Sequence, residues 1–201
     1  MKINEIISSV DKDKIMWLLD KYFYCTDATI DDNGYVSCID NVYLLTNDSI
    51  TVNRLPVKFL KVAGDFIINN NQLTTLEGCP IEVGGDFECK NNLLTSLVGG
   101  PEKVVNDYRC VDNKLTSLVG IPKNVTATFK LSYDKNLPLL RLLTLTNFTF
   151  DNHSNINYAF DIMTVLLKYA GQGRKAALDC AVDLLSLGKK LNIDLTMNAR
   201  W

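Results

Sequence analysis

The chain has 201 residues, 47% of them hydrophobic and 22% charged, a globular composition that excludes a disordered, collagen-like or disulfide-framed chain. Lys and Arg total 21 against 23 Asp and Glu, a formal net charge of −2 that argues against non-specific binding to nucleic acid or an anionic membrane. The length predicts one continuous body or a small core with an appendage.

Met1 to Val10 carries Lys2 and Glu5 and has neither an apolar run nor a small-residue cleavage site, so no secretory signal is expected. No stretch approaches the ~18 apolar residues of a membrane span. Ile3, Ile6, Ile7 and Val10 recur at helical spacing, and Ile15, Leu18, Leu19, Tyr22 and Phe23 do so again after Asp11. Two short helices joined near Ser8 to Asp13 are predicted. Thr29-Ile30, an Asp31-Asp-Asn-Gly34 turn, Tyr35 to Ile39 and Val42 to Leu45 then read as strands around tight turns. Together, residues 1–61 are expected to cap the exposed sheet edge of the segment that begins at Val62.

Three stretches align without a gap at a spacing of 21, starting at Val62, Val83 and Val104. Their matched columns include Asp65/Asp86/Asp107, Phe66/Phe87/Tyr108, Ile68/Cys89/Cys110, Asn71/Asn92/Asn113, Leu73/Leu94/Leu115, Leu76/Leu97/Leu118, Gly78/Gly99/Gly120 and Pro80/Pro101/Pro122. A decayed fourth copy from Val125 keeps Phe129 and Leu131. Each copy reads as one turn of a parallel β-solenoid over residues 62–133, about four turns in all. Period-two alternation puts Phe87 and Cys89 inward and Glu88 and Lys90 outward. The Asn column is placed to bond the backbone of adjacent turns. Leu94 and Leu97 close the core on the return path, and Gly99 permits the positive φ that ends it.

Residues 134–201 are expected to be helical. Pro138 to Leu145 reads as a short helix with Pro in its first turn. Ala159, Ile162, Met163, Leu166 and Ala170 form one apolar stripe, and Ala177, Cys180, Ala181, Leu184 and Leu185 another. These are two amphipathic helices joined at Gly171-Gln-Gly173, capping the far end of the stack.

The spacing F-x-C-x-x-N-x-L-x-x-L in Phe87 to Leu97 resembles the leucine-rich repeat. The variant G-D-F-x-C-x-x-N-x-L-T-S-L-x-G-x-P is similar to short repeats in proteins of T4-like tailed bacteriophages, as is the tail from Lys168 to Cys180 with its ending Asn198-Ala-Arg-Trp201. Phe and Cys stand where leucine is usual and the turns are short, so the outer face is expected to lack true helices. The fold class is therefore α+β, a short leucine-rich-repeat-like solenoid with an N-terminal helix and strand cap and a C-terminal helical region. The resemblance implies a phage protein that binds a host protein in the bacterial cytoplasm, inhibiting or redirecting it as a defence antagonist or takeover factor. A virion or assembly component, marked by self-association, is the alternative.

No catalytic residue, metal or cofactor is expected. The Asp65/Asp86/Asp107 column could hold a cation or, as paired carboxylates, run glycoside hydrolysis. The favoured reading is that each Asp accepts backbone N–H bonds at the strand entry or pairs with Arg109 and Lys130. Cys89 and Cys110 fall within disulfide range in adjacent copies; burial favours free thiols, and all six cysteines are expected to be reduced. The single histidine, His153, stands with Asp151 in a polar linker and is the one thin enzymatic candidate. Gly171 to Lys175 could receive a phosphate but fits a helix C-cap and turn better. The residues expected to meet a partner are the outward strand positions Ile67, Asn69, Glu88, Lys90, Arg109, Val111 and Lys130, which vary while the core columns hold.

Overall fold

A computed structural model describes residues 10–45, 51–151 and 158–201. The first predicted helix, around Ile3 to Ile7, lies outside the described residues. The second is α1 (Lys12–Tyr22), capped by the Asp11 carboxylate, which accepts the Lys14 N–H at 2.9 Å. Two short strands follow, β1 (Phe23–Cys25) and β2 (Ala28–Ile30), separated by Asp27 in the left-handed region (φ 51°). The turn at Asp31 to Gly34 leads antiparallel from β2 into β3 (Tyr35–Cys38), and β4 (Val42–Leu44) pairs antiparallel with β1.

Each later turn supplies two short strands. They are β5 (Lys58–Val62) and β6 (Phe66–Ile67), β7 (Glu82–Val83) and β8 (Phe87–Glu88), β9 (Lys103–Val104) and β10 (Tyr108–Arg109), then β11 (Asn124–Val125) and β12 (Phe129–Leu131). The even-numbered strands β4 to β12 run parallel in one sheet and the odd-numbered β3 to β11 in the other. A 3₁₀-helix (Leu139–Thr144) then returns the chain to β13 (Phe148–Phe150), which pairs parallel with β12. The sheets have seven strands (β1-β4-β6-β8-β10-β12-β13) and six (β11-β9-β7-β5-β3-β2). The chain is thus a parallel β-solenoid of about five turns, one more than the repeat count predicts, because β3 and β4 join the stack rather than merely covering it. Where longer leucine-rich patterns would place helices, a second sheet closes the coil.

The spacing of 21 is the reason the turns stack in register: Phe66, Phe87, Tyr108 and Phe129 are direct cross-strand partners. All four are buried, and their rings form a ladder with centroids 6.1, 4.6 and 5.1 Å apart. Phe59 and Phe23 extend it toward the N-terminus, with centroids 5.0 Å apart from Phe66 to Phe59 and 5.1 Å apart from Phe59 to Phe23. The Asn column behaves as its chemistry requires. Asn92 donates to the Ile68 and Cys89 carbonyls at 2.9 and 3.2 Å and accepts the Leu73 N–H at 3.1 Å. Asn113 repeats this one turn on, accepting from Leu94. Gly78, Gly99 and Gly120 all have φ between 86° and 96°, and a Cβ at Gly120 would meet the Leu97 carbonyl carbon at 2.3 Å.

The column ends at Asp134, whose carboxylate accepts the Asn136 N–H at 2.7 Å instead of bonding the preceding turn. Leu115, in the preceding turn, is half-buried where Leu73 and Leu94 are fully buried. Beyond it, α2 (Ala159–Lys168), a 3₁₀ turn (Gly173–Ala176) and α3 (Ala177–Leu191) close the stack as expected, burying Ala159, Ile162, Leu166, Ala176, Cys180 and Leu184. Asn198, fully buried, accepts from the Tyr133 hydroxyl at 3.0 Å and donates to the Leu137 carbonyl at 2.9 Å, fastening the C-terminus to the last turn. No helix among the described residues is long and apolar enough to cross a membrane.

Candidate functional site

The outward row of the seven-stranded sheet is set directly by the register. Tyr24 pairs with Tyr43, Tyr43 with Ile67, Ile67 with Glu88, Glu88 with Arg109, Arg109 with Lys130 and Lys130 with Thr149. Neighbours in such a row stand about 4.8 Å apart. Thr149 closes the row, its hydroxyl 3.5 Å from the Met163 sulfur of α2.

The row has two halves. At the N-terminal end the Tyr24 and Tyr43 rings lie 6.2 Å apart, and Tyr24 is 59% exposed. Asn41 donates to the Tyr43 hydroxyl at 3.0 Å, fixing the ring beside Ile67. In the centre, Arg109 is held by three carboxylates: Nη1 reaches Asp86 at 2.5 Å and Glu88 at 2.6 Å, and Nη2 reaches Asp107 at 2.6 Å. Lys130 also pairs with Asp107, at 2.6 Å, and Lys90 with Glu88 at 2.9 Å. Asn69 donates to Glu88 at 2.7 Å and accepts the Lys90 N–H at the same distance.

Partial burial raises the carboxyl pKa of Asp107, yet the Lys130 hydrogen bond and the Arg109 charge outweigh it, and the net shift is downward. Glu88 is likewise lowered on balance, burial being overcome by Lys90, Asn69 and Arg109. Arg109 is raised, burial being outweighed by Asp86 and Glu88.

The aspartate column has the structural role favoured from sequence. Asp65 Oδ1 accepts the Asp86 N–H at 2.7 Å, Asp86 Oδ1 the Asp107 N–H at 3.0 Å and Asp107 Oδ1 the Thr128 N–H at 3.0 Å. Asn41 begins the same chain by accepting the Asp65 N–H at 2.7 Å. Among the described residues no group of three His, Cys, Asp or Glu side chains could hold a metal ion.

The structure draws Asn69, Glu88, Lys90, Arg109 and Lys130 into one network, with Ile67 at its border. Val111 departs from the expectation: it is 3% exposed and so not part of the outer surface. Alternation sets it on the outward side, between Lys90 and Ser132 in its row, but it is buried there all the same. The 21-residue spacing misses Tyr24 and Tyr43. Their signal is the match of Asn41-Val42-Tyr43 to Asp65-Phe66-Ile67, hidden because this pairing is offset by 24 residues rather than 21.

Cys79, Cys89, Cys110 and Cys180 are free and buried. Burial raises all four thiols, Cys180 to about 12, which keeps them protonated. The expectation of six reduced thiols is corrected by a disulfide between Cys25 and Cys38. Cys25 lies on β1 of the seven-stranded sheet and Cys38 on β3 of the six-stranded one, so the bond joins the two sheets, a contact that sequence spacing does not show. His153 lies outside the described residues. The Gly171 N–H is engaged by the Leu145 carbonyl at 2.7 Å, and Gly171 has φ 74°, consistent with the cap and turn rather than an anion site.

No protein-family model, curated protein or solved structure matches the chain.

Proposed function

We propose that the protein is a non-enzymatic binding module whose seven-stranded sheet receives a protein partner on its outer face. The observation that carries this reading is the single in-register row in which exposed Tyr24 and half-buried Tyr43 and Ile67 adjoin an ordered ion network. Tyr and Arg are the side chains that dominate interface energetics. Arg109 is already immobilised by its carboxylates, so binding against it costs little further side-chain entropy. The acids that could suggest catalysis are engaged in backbone and ion-pair bonds. The resemblance to proteins of T4-like phages supports a bacterial host protein as the partner, occluded in the host cytoplasm and thereby inhibited or redirected.

The test is capture from a bacterial lysate with the tagged chain, followed by titration with the purified partner. Tyr24→Asp and the uncharged Ile67→Ser lie at the apolar end and add no charge beside the ion network. Each is expected to weaken binding about tenfold or more with an unchanged circular dichroism spectrum. Undiminished affinity in both variants would overturn the assignment of this face, and failure to retain any host protein would overturn the module itself.

A further inference from the structure

Helix α3 has two apolar faces, and the fold covers one. Cys180, Leu184 and Gly188 are buried against the body, and Asp183 ties the helix to α2 by accepting from Lys168 Nζ and the Tyr169 hydroxyl, each at 2.7 Å. On the other side Leu178, Val182 and Leu185 are 75%, 58% and 41% exposed. Leu178 is the most exposed large apolar side chain among the described residues. With Lys189 these residues have four-three-four spacing, the alternation of a coiled-coil seam.

We propose that this seam is a self-association surface, closed by the same seam of a second copy running antiparallel. The proposal stands independently of the sheet-face reading. Three features select this occupant. First, a symmetric antiparallel pairing centred between Val182 and Leu185 sets Val182 against Leu185 of the second copy and carries Leu178 to its Gly188 and Lys189. There the surface opens into a hollow of about 510 Å³, where Leu185, Ile193 and Leu195 alternate with Lys189, Asn192, Asp194 and Thr196. The most exposed leucine thus meets a hollow that offers Leu185, Ile193 and Leu195 on a polar rim. Second, Asp179, beside Leu178, comes within reach of Lys189 of the second copy, and the helix dipoles oppose. A parallel pairing would instead set Lys189 against Lys189. Third, an isologous contact closes on itself, so it makes a dimer and not a filament. One helix pair is a smaller contact than the roughly 800 Å² per partner of a standard interface, so the dimer is expected to be reversible and concentration-dependent.

Sedimentation of the full chain over a series of concentrations tests the proposal. A monomer–dimer equilibrium is expected. Leu178→Glu, an exposed substitution that leaves the fold intact, should weaken it about tenfold or more. Asp179→Lys and Lys189→Glu should each weaken it, and the two combined in one chain should restore it. A folding defect would give no such rescue. A monomer at every concentration, a dimer indifferent to Leu178→Glu, or a charge exchange without rescue would overturn the proposal.

Discussion

Tyr108 occupies a column otherwise filled by Phe66, Phe87 and Phe129, and its hydroxyl is buried without a hydrogen-bond partner among the described residues. It points toward Gly100, where an added Cβ would stand 2.8 Å from the hydroxyl oxygen. A buried hydroxyl with no partner costs stability, so Tyr108→Phe is expected to stabilise the fold by about 1 kcal/mol in urea unfolding. An unchanged or lowered stability would show that the hydroxyl is satisfied. Arg109 is the opposite case, one side chain compensating three carboxylates. Arg109→Met should destabilise by about 2 kcal/mol, less than for a fully buried pair because the guanidinium is partly solvated. Glu88 and Asp107 titrate below their ordinary values in the folded state. Their stabilisation is therefore present above the unfolded carboxylate pKa of about 4 and is lost as pH falls through the lower folded values. Unfolding free energy measured against pH should fall steeply in acid for the parent and less steeply for Arg109→Met.

At the scale of the elements, the repeat columns translate closely into structure. The Asn column bonds adjacent turns, the Gly column takes positive φ, and the Leu columns are buried except for Leu115 in the last full copy, because each role needs one residue type at one place in a turn. The C-terminal helices are equally legible, since ten or more residues give the 3.6 period time to show. The second sheet is not. Its strands β7, β9 and β11 are two residues long, as are β6, β8 and β10, but no large apolar residue two places on extends their pattern as Cys89 extends that of Phe87, and the Val62/Val83/Val104 column could serve any buried position. For the candidate site, the column of outward residues is readable and its exposure is not. Val111 shows why: alternation gives the direction of a side chain, whereas how much water it meets depends on what packs round it in the folded chain. Spacing marks Arg109 as a partner for the aspartates, but its simultaneous hold on Asp86, Glu88 and Asp107 depends on cross-strand register.

At the scale of the whole molecule, a repeat body gains its stability from contacts between neighbouring turns, since no turn buries its apolar face alone. Removing residues 83–103 deletes one full period and joins Glu82 to Val104 in unchanged register. The shortened chain should fold cooperatively, with a urea m-value lower by about a tenth and reduced stability. Loss of cooperative unfolding would show that the central turn is not interchangeable with its neighbours.

The sequence by itself determined the period, the inward columns, the turn residues and the helical close of the stack, because these arise from local chemistry repeated at fixed spacing. Only the tertiary structure decided that β3 and β4 form a further turn, that Cys25 meets Cys38, and that Tyr24 and Tyr43 complete the outer row. Those contacts join segments outside the 21-residue register, so their pairing depends on how strands fold back on one another. No single stretch of chain carries that information.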